Sequence, residues 1–228
     1  TGKSHLFLML ANYFDLKQDA PEMEGFFSNY AEQDPDGANK MRTWRGDGRY
    51  LVALCRYGTG DDFEATVLRA IEQASEREGF KGLENTHYQE ALRRLRGSEQ
   101  ARRQGKATGQ MYDMFVDALH EQYPGTTVEA LRDGLRRYKP HHLNVFKGVF
   151  QAITGGGFTP DKGNLIDILE DLVRSEAFKE RYKGLVIFYD EFDEILKQGQ
   201  LDISRFQGFA ELCRHPEAGM QSIIFYAN

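Results

Sequence analysis

Cysteine is scarce in this sequence. There are two, Cys55 and Cys213, far apart and without metal-ligand spacing. They read as two small buried hydrophobes in a reducing cytosol. Membrane-length apolar runs are missing, and so is a recognisable signal peptide, so a cytoplasmic chain with no membrane partner is expected. Positive charge is not in excess. The net charge of −6 argues against wholesale coating of nucleic acid, though not against a local basic patch. Histidine clusters are lacking too: His141 and His142 are adjacent, which places them on different faces of a helix. What is present is an ordinary globular balance, 40% hydrophobic and 28% charged over 228 residues. That length suits one large domain or two small ones.

The most informative stretch is Gly184-Leu185-Val186-Ile187-Phe188-Tyr189-Asp190-Glu191. An unbroken apolar run rich in Val, Ile and aromatics reads as a strand buried on both faces of a parallel sheet. It ends in two carboxylates, at the edge where open α/β sheets bind ligands. The sequence opens with Thr1-Gly2-Lys3-Ser4-His5, which matches the tail of a phosphate-binding loop. In such loops Lys reaches the β and γ phosphates, Ser binds Mg²⁺, and an acid on a neighbouring strand helps hold the metal. From residue 3 to 14 nearly every position is apolar, which predicts a buried helix whose N-terminus faces phosphate.

Two further strands are expected, at 50–57 and 221–228, the last ending in Asn228. Residues 15–49 read as a loop with a short helical piece near 22–30. Asp61 looks like an N-cap for a helix running to about 78. Between the strand at 50–57 and the acidic strand lie helices expected at 86–103, 108–123, 127–138, 141–153 and 161–180. That is far longer than a simple crossover needs. The expected division is therefore a core of 1–79 and 183–228 with a helical insertion at 80–182. Gly155-Gly156-Gly157 reads as a flexible turn, since no Gly-Lys-Ser/Thr follows it. The insertion holds the main basic cluster, Arg93, Arg94, Arg96, Arg102, Arg103 and Lys106. It is either a nucleic-acid contact or a solvated face offset by Glu90, Glu99 and Asp133. A helix is expected at about 202–214, after a short turn carrying Asp193 and Glu194, read as a solvated helix start.

Gly2-Lys3-Ser4, the strand ending Asp190-Glu191 and the strand ending Asn228 together resemble the Walker A tail, Walker B and sensor 1 of AAA+ and related additional-strand P-loop ATPases. Gly-Lys-Ser-His-Leu with the extended acidic strand end is similar to the large P-loop ATPases of BREX and Pgl phage-defence systems. The resemblance covers about half the chain and implies a three-layer α/β core with a parallel sheet. In the AAA+ order 5-1-4-3-2, the three visible strands would be 2, 3 and 4, contiguous. It implies an ATP site at Thr1, Gly2, Lys3, Ser4 and His5. Ser4 would ligate Mg²⁺ directly and Asp190 through water. Glu191 would be the general base, and Asn228 would contact the γ-phosphate or the attacking water. Oligomers of the full-length chain are implied as well. Neither an arginine finger nor a sensor 2 can be assigned. The first glycine of the loop and its strand are not in the sequence. A longer parent is therefore expected to carry the activity, and this stretch alone is expected to bind nucleotide poorly. An ATP-driven motor or remodeller is the first expectation. A nucleotide-dependent switch that barely hydrolyses is the second, disfavoured because a switch needs no Glu191. A small-acceptor kinase is weaker still.

Overall fold

Three strands form the sheet: β1 (Tyr50–Arg56), β2 (Gly184–Asp190) and β3 (Ser222–Ala227). All pairs are parallel in the order β1-β2-β3, the contiguous order expected of the three strands. Their register sets Tyr50 opposite Gly184 and Gly184 opposite Ser222. The computed structural model describes residues 2–46, 48–56, 62–80, 83, 86–159, 164–199, 201–214 and 220–227, without the side chains of residues 2–4. The class is mixed α/β, and two compact units are distinguished. One comprises Thr1–Tyr57, Ala70–Gly82 and Leu169–Asn228; the other comprises Gly58–Arg69 and Leu83–Ile168. Compared with the expected division, residues 58–69 join the helical unit and residues 80–82 and 169–182 join the sheet unit.

In the sheet unit, β2 is central, and Leu185 to Tyr189 are fully buried. One face meets α1 (Gly2–Asp15), α2 (Pro21–Gln33) and α3 (Pro35–Arg45). Phe7 and Phe14 of α1 lie 4.8 and 6.4 Å from the Phe188 ring, and Phe14 lies 5.2 Å from Tyr50. The opposite face meets α12 (Ile203–Arg214), where Phe206 and Phe209 pack 5.9 and 5.2 Å from Phe225. The sheet is thus sandwiched between helical layers, as doubly covered parallel strands require. Phe80, Phe178 and Tyr182 form a further aromatic group; Phe178 belongs to α10 (Glu176–Lys179), which follows α9 (Leu165–Arg174) in the chain.

Several expectations are corrected. Helix α1 is not buried all round: Leu6, Leu8 and Met9 are exposed, while Ala11, Tyr13 and Phe14 are buried. A helix on the outer layer of a three-stranded sheet can bury only the stripe that touches it. Residues 15–49 hold two helices rather than one short piece. Pro35 and Asp36-Gly37 read as a turn, but Pro sits comfortably at the first helical position. Asp34 supplies the cap, its Oδ1 accepting from Gly37 N at 2.9 Å. The single helix expected over 161–180 is two, because Ser175 breaks the run and caps the second, its Oγ accepting from Phe178 N at 3.3 Å. Asp61 lies outside the described residues; Asp62 Oδ1 accepts from Ala65 N at 2.7 Å near the start of α4 (Phe63–Arg77).

Arg45 is wholly buried. Its guanidinium donates to the carbonyls of Tyr13 and Leu16 at the C-terminal end of α1, where orphan carbonyls and the negative dipole end favour a cation. Nearby, Arg49 binds the Asp15 carboxylate at 3.2 Å and Glu78 at 3.1 Å.

The helical unit follows the expected order: α5 (His87–Arg103), a 3₁₀ turn at Ala107–Gly109, α6 (Gln110–Gln122), α7 (Val128–Arg136) and α8 (Pro140–Thr154). Thr86 and Thr127 cap α5 and α7 by accepting from Gln89 N and Ala130 N, each at 3.1 Å. Gly134 lets α7 and α8 approach, since a Cβ there would lie 2.1 Å from the His142 ring. No described helix is long and apolar enough to cross a membrane.

Candidate active site

The direction of α1 decides where its first turn lies. Phe14, near its end, packs on Tyr50 at the start of β1, while Phe7 packs on Phe188 near the end of β2. The helix therefore runs antiparallel to the strands. Its first turn, Gly2-Lys3-Ser4-His5, stands at the carboxyl edge of the sheet, where β2 delivers Asp190. Side chains alternate along a strand. Asp190 shares its face with Val186 and Phe188, which belong to the core built with α1. Its side chain therefore stands on the α1 side of the sheet and is exposed there. Two elements remote in sequence thus bring a helix N-terminus and a strand-end carboxylate to one edge.

Glu191 follows at φ 60° and ψ 37°, the left-handed region, and occupies the N-cap position of α11 (Phe192–Lys197) without a side-chain cap bond. A non-glycine residue in this region is strained, at a cost of order 1–3 kcal/mol, and such outliers cluster at functional sites. The backbone here turns sharply from strand to helix and leaves the carboxylate exposed. Asp193 and Glu194 take no part in the edge geometry. Both bind Lys197, at 2.6 and 2.8 Å, and the bond from Lys197 holds the Asp193 carboxyl below its ordinary range.

His5 is exposed in the first turn of α1. The backbones of Gly2, Lys3 and Ser4 are helical, and their side chains lie outside what is described; Thr1 and Asn228 lie wholly outside the described residues. One residue near the site was not singled out from the sequence. Arg56 ends β1 directly opposite Asp190 in the ladder, and by alternation it stands on the same face. Aligning the two apolar runs as parallel neighbours would have revealed it.

The arginine cluster is not gathered into a single unopposed cationic surface. Arg93 and Arg94 bind Glu90 at 2.6 and 2.8 Å, Arg103 binds Glu99 at 2.6 Å, and Arg102 binds Asp113 at 2.5 Å. Among the described residues no group of three or more His, Cys, Asp or Glu could hold a metal ion. Burial pushes the Cys213 thiol up to about 12, so it is a poor nucleophile at neutral pH. The chain matches no family model, no curated protein and no solved structure.

Proposed function

We propose that this chain carries the nucleotide site of a P-loop ATPase of the AAA+ type, binding ATP with Mg²⁺ and hydrolysing it to remodel or translocate a nucleic-acid or protein partner. The observation that carries this reading is the meeting of the first turn of α1 with the end of β2 at one sheet edge. Phosphoryl transfer asks little covalent chemistry of a protein and much electrostatic positioning. A helix N-terminus offers free N–H groups and a positive dipole end to phosphate. Lys3, one residue into that turn, would set its ammonium against the β and γ phosphates. Ser4 and Asp190 offer a hydroxyl and a carboxylate, hard oxygen donors of the kind Mg²⁺ takes. The bound ion would neutralise phosphate charge during transfer.

Glu191 is placed differently from its neighbour. Its left-handed backbone turns it away from the strand's alternation, so it need not compete with Asp190 for the metal. In the proposed role it orients the attacking water and takes its proton. Asn228 would steady that water or the γ-phosphate. A role in phage defence extends the same proposal and rests on the resemblance of the Gly-Lys-Ser-His-Leu turn and the acidic strand end.

The test is ATP binding and turnover by the polypeptide as its gene encodes it, with and without Glu191→Gln. Removing a general base typically costs on the order of 10²–10⁴ in rate. The variant should keep its affinity for Mg·ATP and lose turnover by that factor. Undiminished turnover would remove Glu191 from the mechanism.

A further inference from the structure

The helical unit contains a cavity that the nucleotide site does not use. It has a volume of about 350 Å³ and lies among α5, α6 and α8. That falls within the range of small-molecule sites, roughly 300–1,000 Å³. Its wall is apolar and aromatic, with Met111, Phe115, Phe146 and Phe150 prominent. Met111 is exposed at 43%, so an apolar side chain is left uncovered at the mouth by the described residues.

Gly97 forms part of the α5 wall. Glycine inside a helix costs about 1 kcal/mol relative to alanine, so it calls for a reason. The other described helical glycines of this unit have one. A Cβ on Gly134 or Gly148 would stand 2.1 or 2.6 Å from a neighbouring side chain. A Cβ on Gly97 would meet nothing within 4 Å. No packing among the described residues explains it, and the space it leaves belongs to the cavity.

The cavity also has a polar side. The Arg94 guanidinium lies over the rings of Phe150 and Phe158, at 5.0 and 5.2 Å. Its Nε donates to Glu90 at 2.8 Å, which fixes the plane through one edge. Arg93 binds the same carboxylate at 2.6 Å. Two guanidinium groups thus share one carboxylate, and the trio keeps a net positive charge beside an apolar chamber. A planar cation fixed in place on aromatic faces is suited to bind a carboxylate.

We propose that this cavity binds a small amphipathic carboxylate, with an aromatic or branched-aliphatic body against Phe115, Phe146 and Phe150 and its anionic group on Arg94. Gly97 is the residue that keeps the chamber open. Binding there does not depend on the proposed ATPase chemistry.

The probe pair is 4-phenylbutyrate and its neutral counterpart 4-phenyl-1-butanol, titrated into the intact chain by ligand-observed NMR. The acid should bind saturably at one site, about tenfold more tightly than the alcohol, the factor expected of one charge-assisted contact worth about 1.4 kcal/mol. Gly97→Leu, which fills the chamber and improves helix propensity, should abolish binding of both probes with no loss of melting temperature. Arg94→Gln should bring the acid down to the level of the alcohol and leave the alcohol unchanged. It alters only the rim, so it keeps the test decisive if the leucine variant melts early. Equal affinity for acid and alcohol overturns the anion assignment. Wild-type binding by Gly97→Leu overturns the placement. The absence of saturable binding by either probe overturns the site and leaves the groove to a macromolecular partner.

Discussion

The sheet unit and the helical unit are held together by different kinds of contact. In the sheet unit the decisive neighbours are far apart in sequence: Phe14 meets Tyr50, Phe188 and Tyr226. In the helical unit much of the visible polar order is local. Thr86 and Thr127 cap their own helices, and Arg94 and Arg103 bind acids four residues back. The two therefore place chemistry differently. Long-range packing brings α1 and β2 to one edge and can assemble a site from remote pieces. Local capping and pairing fix each helix by itself and leave room between helices, which is where the cavity lies.

Substitutions should separate the two regimes. Phe188 is fully buried at the centre of the sheet and touches Phe7, Phe14 and Tyr226. Phe188→Ala should cost about 3–5 kcal/mol in denaturant unfolding. A cost below 1 kcal/mol would show that the aromatic cluster does not hold the sheet unit together. Arg45→Met should come next. It leaves the buried carbonyl of Tyr13 and the half-buried carbonyl of Leu16 without their donor, at about 1–3 kcal/mol, chiefly from the buried one. Amide exchange should rise first in the last turn of α1; uniform exchange would mean that Arg45 does not cap that helix.

The smallest effect belongs to the helical unit. Burial pushes the Glu99 carboxyl upward, but hydrogen bonds from Arg103 and Arg132 outweigh it and leave it below its ordinary value. A depressed carboxylate stabilises the fold above its unfolded pKa, about 4.3, and that contribution is lost as pH falls through the folded value. Glu99→Gln should therefore lower stability at pH 7 by less than about 1 kcal/mol, and the two proteins should converge in acid. A difference that persists at the lowest pH would assign the loss to packing rather than charge.

The same contrast explains what could be read from the residues. The three strands were legible because their apolar runs are unbroken and bounded, and the helices of the second unit because their apolar spacing is regular. The acidic end of β2 was legible as well, since a charged pair stands out against such a run. Helix α3 was not, because Pro35 and Gly37 signal a turn unless the Asp34 cap is recognised. The exposure of Leu6 and Leu8 depends on how many layers cover α1, which no periodicity records. The left-handed backbone of Glu191 arises from the turn between β2 and α11, and nothing in the side chain announces it. The burial of Arg45 and the cavity beside Gly97 are products of packing between elements, so composition and spacing are silent on both.

The central claim is that the first turn of α1 and the end of β2 act on one ligand. A double-mutant cycle on Mg·ATP affinity tests it, using Ser4→Ala, Asp190→Asn and the pair, in the polypeptide as its gene encodes it. Residues that hold the same ion are coupled, with interaction energies of about 0.5–3 kcal/mol. The second substitution should therefore cost at least about 1 kcal/mol less in the presence of the first. Losses that add to within about 0.5 kcal/mol would show that Ser4 and Asp190 serve no common ligand, and would contradict the account.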